Sequence, residues 1–255
     1  MNSELIILEQ TGSTNTAVKE LFSQLNDGSC ICALEQTCGR GRLGRKWVTP
    51  PGKAVCASAV FKNVSEAYHA GAIIALAALE LSRKYLPDAG LFFKWPNDIY
   101  IGQSKLAGIL SEGVIEKGRL AGVISGIGIN INQTRTELDQ LDNHAVSFNS
   151  ETGEEFDIPQ LCRELFERIQ QHYRIYRETP EDIIARWQRA NALLGHTLEL
   201  RRPDGTGLRG KFAAITPDGA MILERNGEMI RFDCGDVKID PASLPDLKSP
   251  ADPNK

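Results

Sequence analysis

Hydrophobic residues early in the chain recur with helical spacing in two stretches. Residues 13–25 carry apolar side chains three or four positions apart, and Ser13 opens this stretch with a side chain suited to capping a helix. The same spacing returns over residues 67–86 and stops before Pro87. The pattern therefore predicts two helices, one beginning near Ser13 and one at Ala67.

Short apolar runs separated by glycine predict strands between and after these helices. They fall at residues 29–34, 54–61, 91–95, 98–101, 106–112 and 120–131. Residues 35–53, in contrast, are rich in Gly, Arg and polar side chains and are predicted to form a long loop. A helix followed by several closely spaced strands is typical of a mixed sheet with packed helices, so an α+β domain is expected.

In the second half of the chain the hydrophobic pattern changes once, from helical spacing to the alternation typical of strands. Helical spacing covers residues 158–176 and 180–194, with Pro159 and Pro180 at helix starts, where a missing N–H costs little. After Gly195 short alternating segments predict strands at 197–201, 208–215, 220–223 and 228–232. We therefore expect a main domain at 1–193 and a small β-barrel at 194–240. Residues 241–255, rich in Pro, Asp and Lys, are predicted to be a disordered tail.

Composition and charge exclude several classes of protein. No apolar run approaches the roughly 18 residues that span a bilayer, and the N-terminus lacks a signal peptide's charged start and long apolar region. A cytoplasmic protein without membrane contact is expected. The net charge of −4 argues against a general nucleic-acid binder. Six cysteines without zinc-site spacing are predicted to be reduced thiols.

The segment Gly-Arg-Gly-Arg-Leu-Gly-Arg-Lys-Trp at 39–47, called here the arginine loop, places four cations within nine residues. It matches G-x-G-x-x-G, but a dinucleotide site needs a helix next, and Trp47, Pro50 and Gly52 prevent one. It is not a P-loop either, because no G-x-x-x-x-G-K-[ST] occurs. Arginine forks bind carboxylate or phosphate, so an anionic ligand is expected, with a solvated surface loop as the alternative.

Two further segments combine cations with polar groups at predicted strand ends. Lys-Trp-Pro-Asn-Asp at 94–98 offers a cation, an amide and a carboxylate. The alternative is that part of this segment is structural, with Trp95 in a core and Pro96 in a tight turn. Lys105 opens the next strand, in the sequence Lys-Leu-Ala-Gly-Ile-Leu, where Gly108 permits close backbone approach. Taken alone, Lys105 would be a solvated strand end.

Together these segments resemble the motifs of the biotin protein ligases, in that family's order and approximate spacing. The resemblance also includes Ser-Thr-Asn at 13–15 and Gly-Ile-Gly-Ile-Asn at 126–130, and it covers roughly residues 5–190. It implies a mixed sheet with packed helices, like that of class II aminoacyl-tRNA synthetases, and the segment after Gly195 resembles the family's SH3-like C-terminal domain. The implied reaction makes biotinyl-5′-AMP from biotin and ATP, and then an amide with a carrier-protein lysine.

The resemblance also implies roles for individual residues. Lys105, Arg42 and Asp98 match catalytic positions, with Lys105 countering the charges of the carboxylate and the α-phosphate. Matches to the biotin site are Ser13, Thr14, Asn15, Gln36, Gly39, Arg40, Arg42, Lys105 and Gly108, the last leaving room for the ring. Matches to the ATP and adenylate site are Arg40, Arg45, Trp47, Lys94, Asn97 and Asn130. Asp98 would bind Mg²⁺, or orient or deprotonate the incoming lysine, and these roles stay open.

The sequence also departs from the family pattern in some positions, and other functions remain as alternatives. Because the motifs begin within the first fifteen residues, we expect a monofunctional ligase without a DNA-binding domain. Leu43 and Cys38 replace common loop residues, which bears on how the loop closes. The expected partner is the biotin carboxyl carrier protein of acetyl-CoA carboxylase or a related carboxylase, and a homodimer stays open. A lipoate protein ligase and a catalytically inert binding module are the alternatives.

Overall fold

The computed structural model describes residues 2–47, 49–140, 144–202, 204–233 and 238–240. The tail predicted for 241–255 lies outside the described residues, as does Cys234. The larger part of the fold contains, in order, β1 (Leu5–Leu8), α1 (Thr14–Glu20), β2 (Cys30–Ala33), β3 (Ala54–Phe61), α2 (Ala67–Tyr85), β4 (Leu91–Lys94), β5 (Asp98–Ile101), β6 (Ser104–Glu116), β7 (Arg119–Asn130), α3 (Arg135–Leu138), α4 (Phe148–Thr152), α5 (Ile158–Glu178) and α6 (Pro180–Ala190).

These elements form a seven-stranded sheet in the order β1-β2-β3-β7-β6-β5-β4. The β1–β2 pair is parallel and the other pairs are antiparallel. Successive side chains of a strand point to opposite faces. Val60 and Ile124 thus pack with Val18 of α1, whereas Phe61 and Val123 belong to the larger core that contains α2 and α5. The sheet is therefore covered by α1 on one face and by α2, α5 and α6 on the other.

A second sheet follows in the order β11-β10-β9-β8-β12, and all its pairs are antiparallel. Its strands are β8 (Thr197–Arg201), β9 (Gly207–Ile215), β10 (Met221–Arg225), β11 (Glu228–Phe232) and β12 (Lys238–Ile239). Trp95 Nε1 donates to the carbonyl of Gly219 at 3.0 Å, and Gln188 donates to that of Ile215 at 2.9 Å. These contacts join the small sheet to the larger part of the fold. The predicted domain boundary at residue 194 lies between α6 and β8.

The predicted α+β class is confirmed, and the small antiparallel sheet fits an SH3-like domain. The ends of several elements differ from prediction. The first helix stops at Glu20 instead of continuing to residue 25, because Phe22 and Leu25 reach the core from turns. The edge strand β1 and the short helices α3 and α4 were not predicted, since four or five residues carry too little periodicity.

Two further features of the structure concern the apolarity of its helices and the burial of its cysteines. In the described part of the chain, no helix combines the length and apolarity needed to span a bilayer. The five described cysteines are unpaired, and Cys30 and Cys32 are buried strand residues. The buried Cys56 has a pKa raised to about 12, mainly because burial disfavours the thiolate.

Candidate active site

The floor of the candidate site is a stretch of sheet almost without side chains. Gly108 of β6 lies directly opposite Gly128 of β7, and Leu110 lies opposite Gly126. Because every second residue shares a face, Gly126 and Gly128 lie on the face that α1 covers, while the intervening Ile127 packs in the larger core. The alternation of Gly and Ile in this segment thus fills one face of the sheet and hollows out the other.

The arginine loop crosses above this floor as a compact hairpin. Trp47 N donates to the carbonyl of Gly39 at 2.9 Å, and Gly41 N donates to that of Arg45 at 2.7 Å. Between them, residues Arg42–Gly44 form a single 3-10 turn. A Cβ at Gly39 would collide with the carbonyl of Trp47, so this close approach requires glycine. The segment is therefore a loop, as predicted, but one with a defined backbone.

Trp47 packs its indole directly against the backbone of Gly128, where any Cβ would collide with the ring. The Nζ atom of Lys105 lies 5.7 Å from the centroid of the same ring. The indole therefore forms a flat apolar wall beside the principal cation of the site.

Lys105 and Asp98 face each other from adjacent strands. Their Nζ and Oδ1 atoms are 2.7 Å apart, and both side chains are partly buried, at 27% and 20% exposure. A Cβ added at Gly108 would come within 2.8 Å of Lys105 Nζ, so the glycine leaves room for this lysine side chain. The β5–β6 register shifts between Ile99 and Tyr100, one residue after Asp98.

Arg42 reaches the same cleft from above. Its Nη1 atom donates to Asn97 Oδ1 at 3.0 Å, and Asn97 Nδ2 donates to the carbonyl of Ile109 at 2.7 Å. Ile109 N in turn donates to the carbonyl of Asn97 at 2.8 Å. The guanidinium is thus oriented by Asn97, which is itself fixed to Ile109 of β6 by one side-chain and one backbone hydrogen bond.

The N-terminus of α1 supplies a polar corner of the cleft. Gln36 Oε1 accepts hydrogen bonds from Thr14 N at 2.8 Å and from Thr14 Oγ1 at 3.1 Å. Ser58 Oγ lies 2.7 Å from Thr14 Oγ1 and donates to Asn15 Oδ1 at 2.6 Å. Thr14, Asn15 and Ser58 are all buried, so these hydrogen bonds fix their positions.

Arg40 and Glu112 close the cleft on the side of α1. Arg40 donates from Nη1 to Glu112 Oε1 at 3.2 Å and from Nη2 to Oε2 at 3.0 Å. The same Oε2 accepts from Asn15 Nδ2 at 2.6 Å. The carboxylate of Glu112 therefore joins the arginine loop to the start of α1.

The structure brings most of the predicted site residues together around one cleft of about 460 Å³. It is lined by Ser13, Thr14, Asn15, Gln36, Arg40, Gly41, Arg42, Trp47, Asn97, Lys105, Gly108, Ile109, Leu110, Gly126, Ile127 and Gly128. A larger groove of about 1070 Å³ shares Arg42, Asn97, Ile109 and Leu110 with it and extends to the small sheet.

Three predicted nucleotide ligands do not line the cleft. Lys94 is 8% exposed and its Nζ lies 3.3 Å from the Tyr100 hydroxyl, so burial lowers the pKa of this lysine. Asn130 donates to the carbonyl of Val146 at 3.1 Å, which secures the segment after α3. Arg45 is exposed at the residue after the 3-10 turn of the arginine loop.

Sequence reasoning missed Ser58 and Glu112, which lie behind the cleft and hold its polar lining residues in place. Ser58 is a small polar residue in an otherwise apolar strand, and Glu112 follows the Lys105–Leu110 motif by two positions. The two-residue alternation of the strand could have placed Glu112 on the same face as Gly108. Its contact with Arg40 could not be seen, because the two residues are 72 positions apart.

Comparisons with known proteins agree with this architecture. Residues 7–130 match the biotin/lipoate A/B protein ligase family. The bifunctional ligase/repressor BirA of Bacillus subtilis is 30% identical over 246 residues, covering 94% of this chain and 75% of that protein. A biotin–[acetyl-CoA-carboxylase] ligase of Paracoccus denitrificans is 32% identical over 227 residues, covering 85% of this chain and 92% of that protein.

Solved structures show the same fold. The biotin protein ligase of Aquifex aeolicus in complex with biotin and ATP has a TM-score of 0.77 at 24% identity, with 94% of this chain and 99% of that chain covered. The Leishmania major enzyme in complex with biotinyl-5-AMP has a TM-score of 0.60 at 19% identity, with 92% and 100% covered. The family match and the identity of 30% and 32% to relatives covered over 75% and 92% of their length show that the chain belongs to the biotin/lipoate A/B protein ligase family.

Proposed function

We propose that this protein is a biotin protein ligase. It activates biotin with ATP to biotinyl-5′-AMP, releases pyrophosphate, and transfers the biotinyl group to a lysine of a biotin carboxyl carrier protein. The observation that carries this proposal is the convergence of Lys105 and Arg42 on a glycine-floored cleft. The relative from Paracoccus denitrificans, named for biotin and acetyl-CoA carboxylase, supports the choice of acid and carrier.

The first step joins two anions, so its main obstacle is charge. A carboxylate oxygen of biotin attacks the α-phosphorus of ATP, a new P–O bond forms, and pyrophosphate leaves with the electrons of the broken bond. Lys105 and Arg42 place positive charge where the carboxylate and the phosphate meet. Asn97 holds the Arg42 guanidinium in place beforehand, which reduces the reorganisation needed during reaction.

The polar corner at the start of α1 suits the ureido ring of biotin. The Oε1 atom of Gln36 already accepts hydrogen bonds from Thr14. The Nε2 atom of Gln36 is therefore the donor that can bind a ligand carbonyl. Thr14 Oγ1 supplies a hydroxyl in the same place. Because Asn15 and Ser58 already fill the space above Gly126, the head group would bind beside them, next to Thr14 and Gln36.

The second step needs an unprotonated acceptor lysine. Its amine attacks the acyl carbon of the adenylate, AMP leaves, and one proton must be removed. Asp98 is the carboxylate beside Lys105, and we assign it to orienting or deprotonating the incoming amine. The part of the chain that the structure describes contains no group of three or more His, Cys, Asp or Glu side chains arranged to hold a metal. We therefore propose that Mg²⁺ arrives bound to the phosphates of ATP.

Biotin-dependent exchange of labelled pyrophosphate into ATP tests the proposal most directly. The family includes lipoate ligases, so lipoate is the matched substrate control. Exchange with biotin and little with lipoate is the expected result. Exchange only with lipoate would make the protein a lipoate ligase, and no exchange with either acid would leave it an inert binding module.

The acceptor and the cellular setting belong to the same proposal. Incubation of the enzyme with purified carrier domain, ATP and biotin should give one biotinyl group on one lysine, measurable by intact mass. A cytoplasmic location and a homodimer are further parts of the proposal. Cell fractionation and light scattering would check them.

A further inference from the structure

A chain of polar contacts runs beneath the arginine loop and returns to it. It starts at Gln36, just before the loop, and passes through Thr14, Ser58, Asn15 and Glu112 to Arg40 within the loop. Each step spans 2.6–3.1 Å. Thr14, Ser58 and Asn15 are at most 4% exposed, so the middle of the chain is shielded from water.

Glu112 is the member that connects the buried contacts to the loop. It lies on β6 opposite Ile124, on the face of the sheet that α1 covers. Both of its oxygens accept from Arg40, and one also accepts from Asn15. A carboxylate held by a buried amide and a two-pronged guanidinium has little rotational freedom, which gives this pair a defined geometry.

The pairing also constrains what Arg40 can do. Each terminal nitrogen of its guanidinium donates one hydrogen bond to Glu112, and the pair is electrically neutral. Arg42, two residues later, instead contacts the uncharged Asn97 and keeps its full positive charge in the cleft. The two arginines of the loop therefore stand in different electrostatic settings.

We propose that Glu112 is a positioning residue, and that Arg40 anchors the arginine loop to it instead of binding phosphate. This inference rests on the proposed function. By fixing Arg40, Glu112 keeps the loop closed over the adenylate, while Asn97 separately orients Arg42. Through Asn15, Ser58 and Thr14 it also ties loop closure to the corner proposed for the ureido ring.

The loss expected on breaking this anchor is moderate. Arg40 and Glu112 have side chains 46% and 34% exposed, and exposed ion pairs contribute little, although two-pronged geometry and a third hydrogen bond raise the contribution. We expect Glu112→Gln to increase the rate of biotinyl-5′-AMP release roughly five-fold and to raise KM for biotin by a similar factor. The maximal rate of adenylate formation should change less than two-fold.

The matched control is Glu116→Gln, an exposed carboxylate on the same strand, four residues farther along. Release of the adenylate is followed by rapid filtration after a single turnover. Trypsin cleavage within the arginine loop, at Arg40, Arg42, Arg45 or Lys46, provides a readout that does not depend on activity. Glu112→Gln should accelerate this cleavage in the presence of biotin and ATP, whereas Glu116→Gln should match the unmodified protein.

A double-mutant cycle with Arg40→Gln separates anchoring from phosphate binding. If Arg40 acts only through Glu112, the double variant should release the adenylate no faster than either single variant. Additive effects, or unchanged release and cleavage in Glu112→Gln, would overturn the inference. The unmodified protein must show biotin-dependent pyrophosphate exchange in the same experiment. Its absence would refute the proposed function and not the anchor.

Discussion

Lys105 Nζ lies 2.7 Å from Asp98 Oδ1, and the two side chains reach each other from adjacent strands beside Gly108. The pair places a cation for the first step next to a carboxylate for the second. Each group also orients the other. Two predictions separate their roles.

Replacing Lys105 should affect the first step most. We expect Lys105→Ala to lower the rate of adenylate formation at least about 100-fold, because a charge-stabilising group is lost from the transition state. Biotin-dependent pyrophosphate exchange measures this rate. Lys19→Ala, an exposed lysine of α1, is the control. Near-normal exchange in Lys105→Ala would assign the role to another cation.

Replacing Asp98 should separate the two steps. Asp98→Asn keeps the size of the side chain but removes its basicity, so transfer to the carrier lysine should fall at least about 100-fold. Adenylate formation, measured alone by exchange, should stay within about ten-fold of the unmodified rate. An equal loss in both steps would mean that Asp98 acts by orienting Lys105 and not on the acceptor amine.

Gly128→Ala should displace Trp47, because the added methyl group collides with the indole. A shift of about 1 Å at the wall of a reacting site can cost on the order of 10²-fold in kcat/KM, so we expect a loss of that order in ATP-dependent exchange. Gly207→Ala is the control, since a Cβ there meets no atom within 4 Å. Tryptophan fluorescence would report the displacement independently. An unchanged spectrum with full activity would contradict the packing described.

Cys38 should be the first of the described cysteines to react with an alkylating reagent. It is exposed next to the arginine loop, whereas Cys30, Cys32, Cys56 and Cys162 are buried. Burial raises the pKa of Cys56 to about 12, which disfavours its reactive thiolate further. Peptide mapping after brief alkylation of a Cys234→Ser variant would check this. Biotin and ATP should slow the labelling if loop closure covers Cys38.

Acid stability should depend on Glu164, which joins α5 to α2. Partial burial alone would raise its pKa, but hydrogen bonds from Lys84, Tyr85 and Gln160 outweigh it and lower the pKa to about 2 from an ordinary 4.5. A lowered pKa in the folded state adds stability above pH 4.5 that is lost as the pH falls toward 2. Glu164→Gln should therefore lower Tm by about 2–4 °C at neutral pH, and the difference should shrink below pH 4.5.

Glu167→Gln, an exposed carboxylate on the same helix, is the control for that measurement. Thermal unfolding followed by circular dichroism at several pH values gives both curves. A Tm difference between Glu164→Gln and the unmodified protein that stayed constant down to pH 2 would rule out this linkage.

The arginine loop shows most clearly what the sequence alone could predict. Its glycines and arginines predicted a loop that binds an anion, and together with the Lys94–Asp98 and Lys105–Leu110 segments they indicated the family. Local composition also predicted β3 with the observed ends, because eight residues of which seven are apolar, bounded by lysines, carry a clear strand signal. The position of Lys94 depends instead on the tertiary structure, since its hydrogen bond to Tyr100 is made in the buried β4–β5 pair.

The sequence by itself determined the class of fold, the predicted activity and most residues of the cleft, because these depend on short segments whose spacing and chemistry can be read locally. Only the tertiary structure decided which arginine pairs with a carboxylate and which with an uncharged amide. Arg40 and Arg42 look equivalent in the sequence, but Glu112 reaches one and Asn97 the other. That difference arises from the register of β6 against β7 and from the path of the loop above them, and both depend on contacts between residues far apart in the chain.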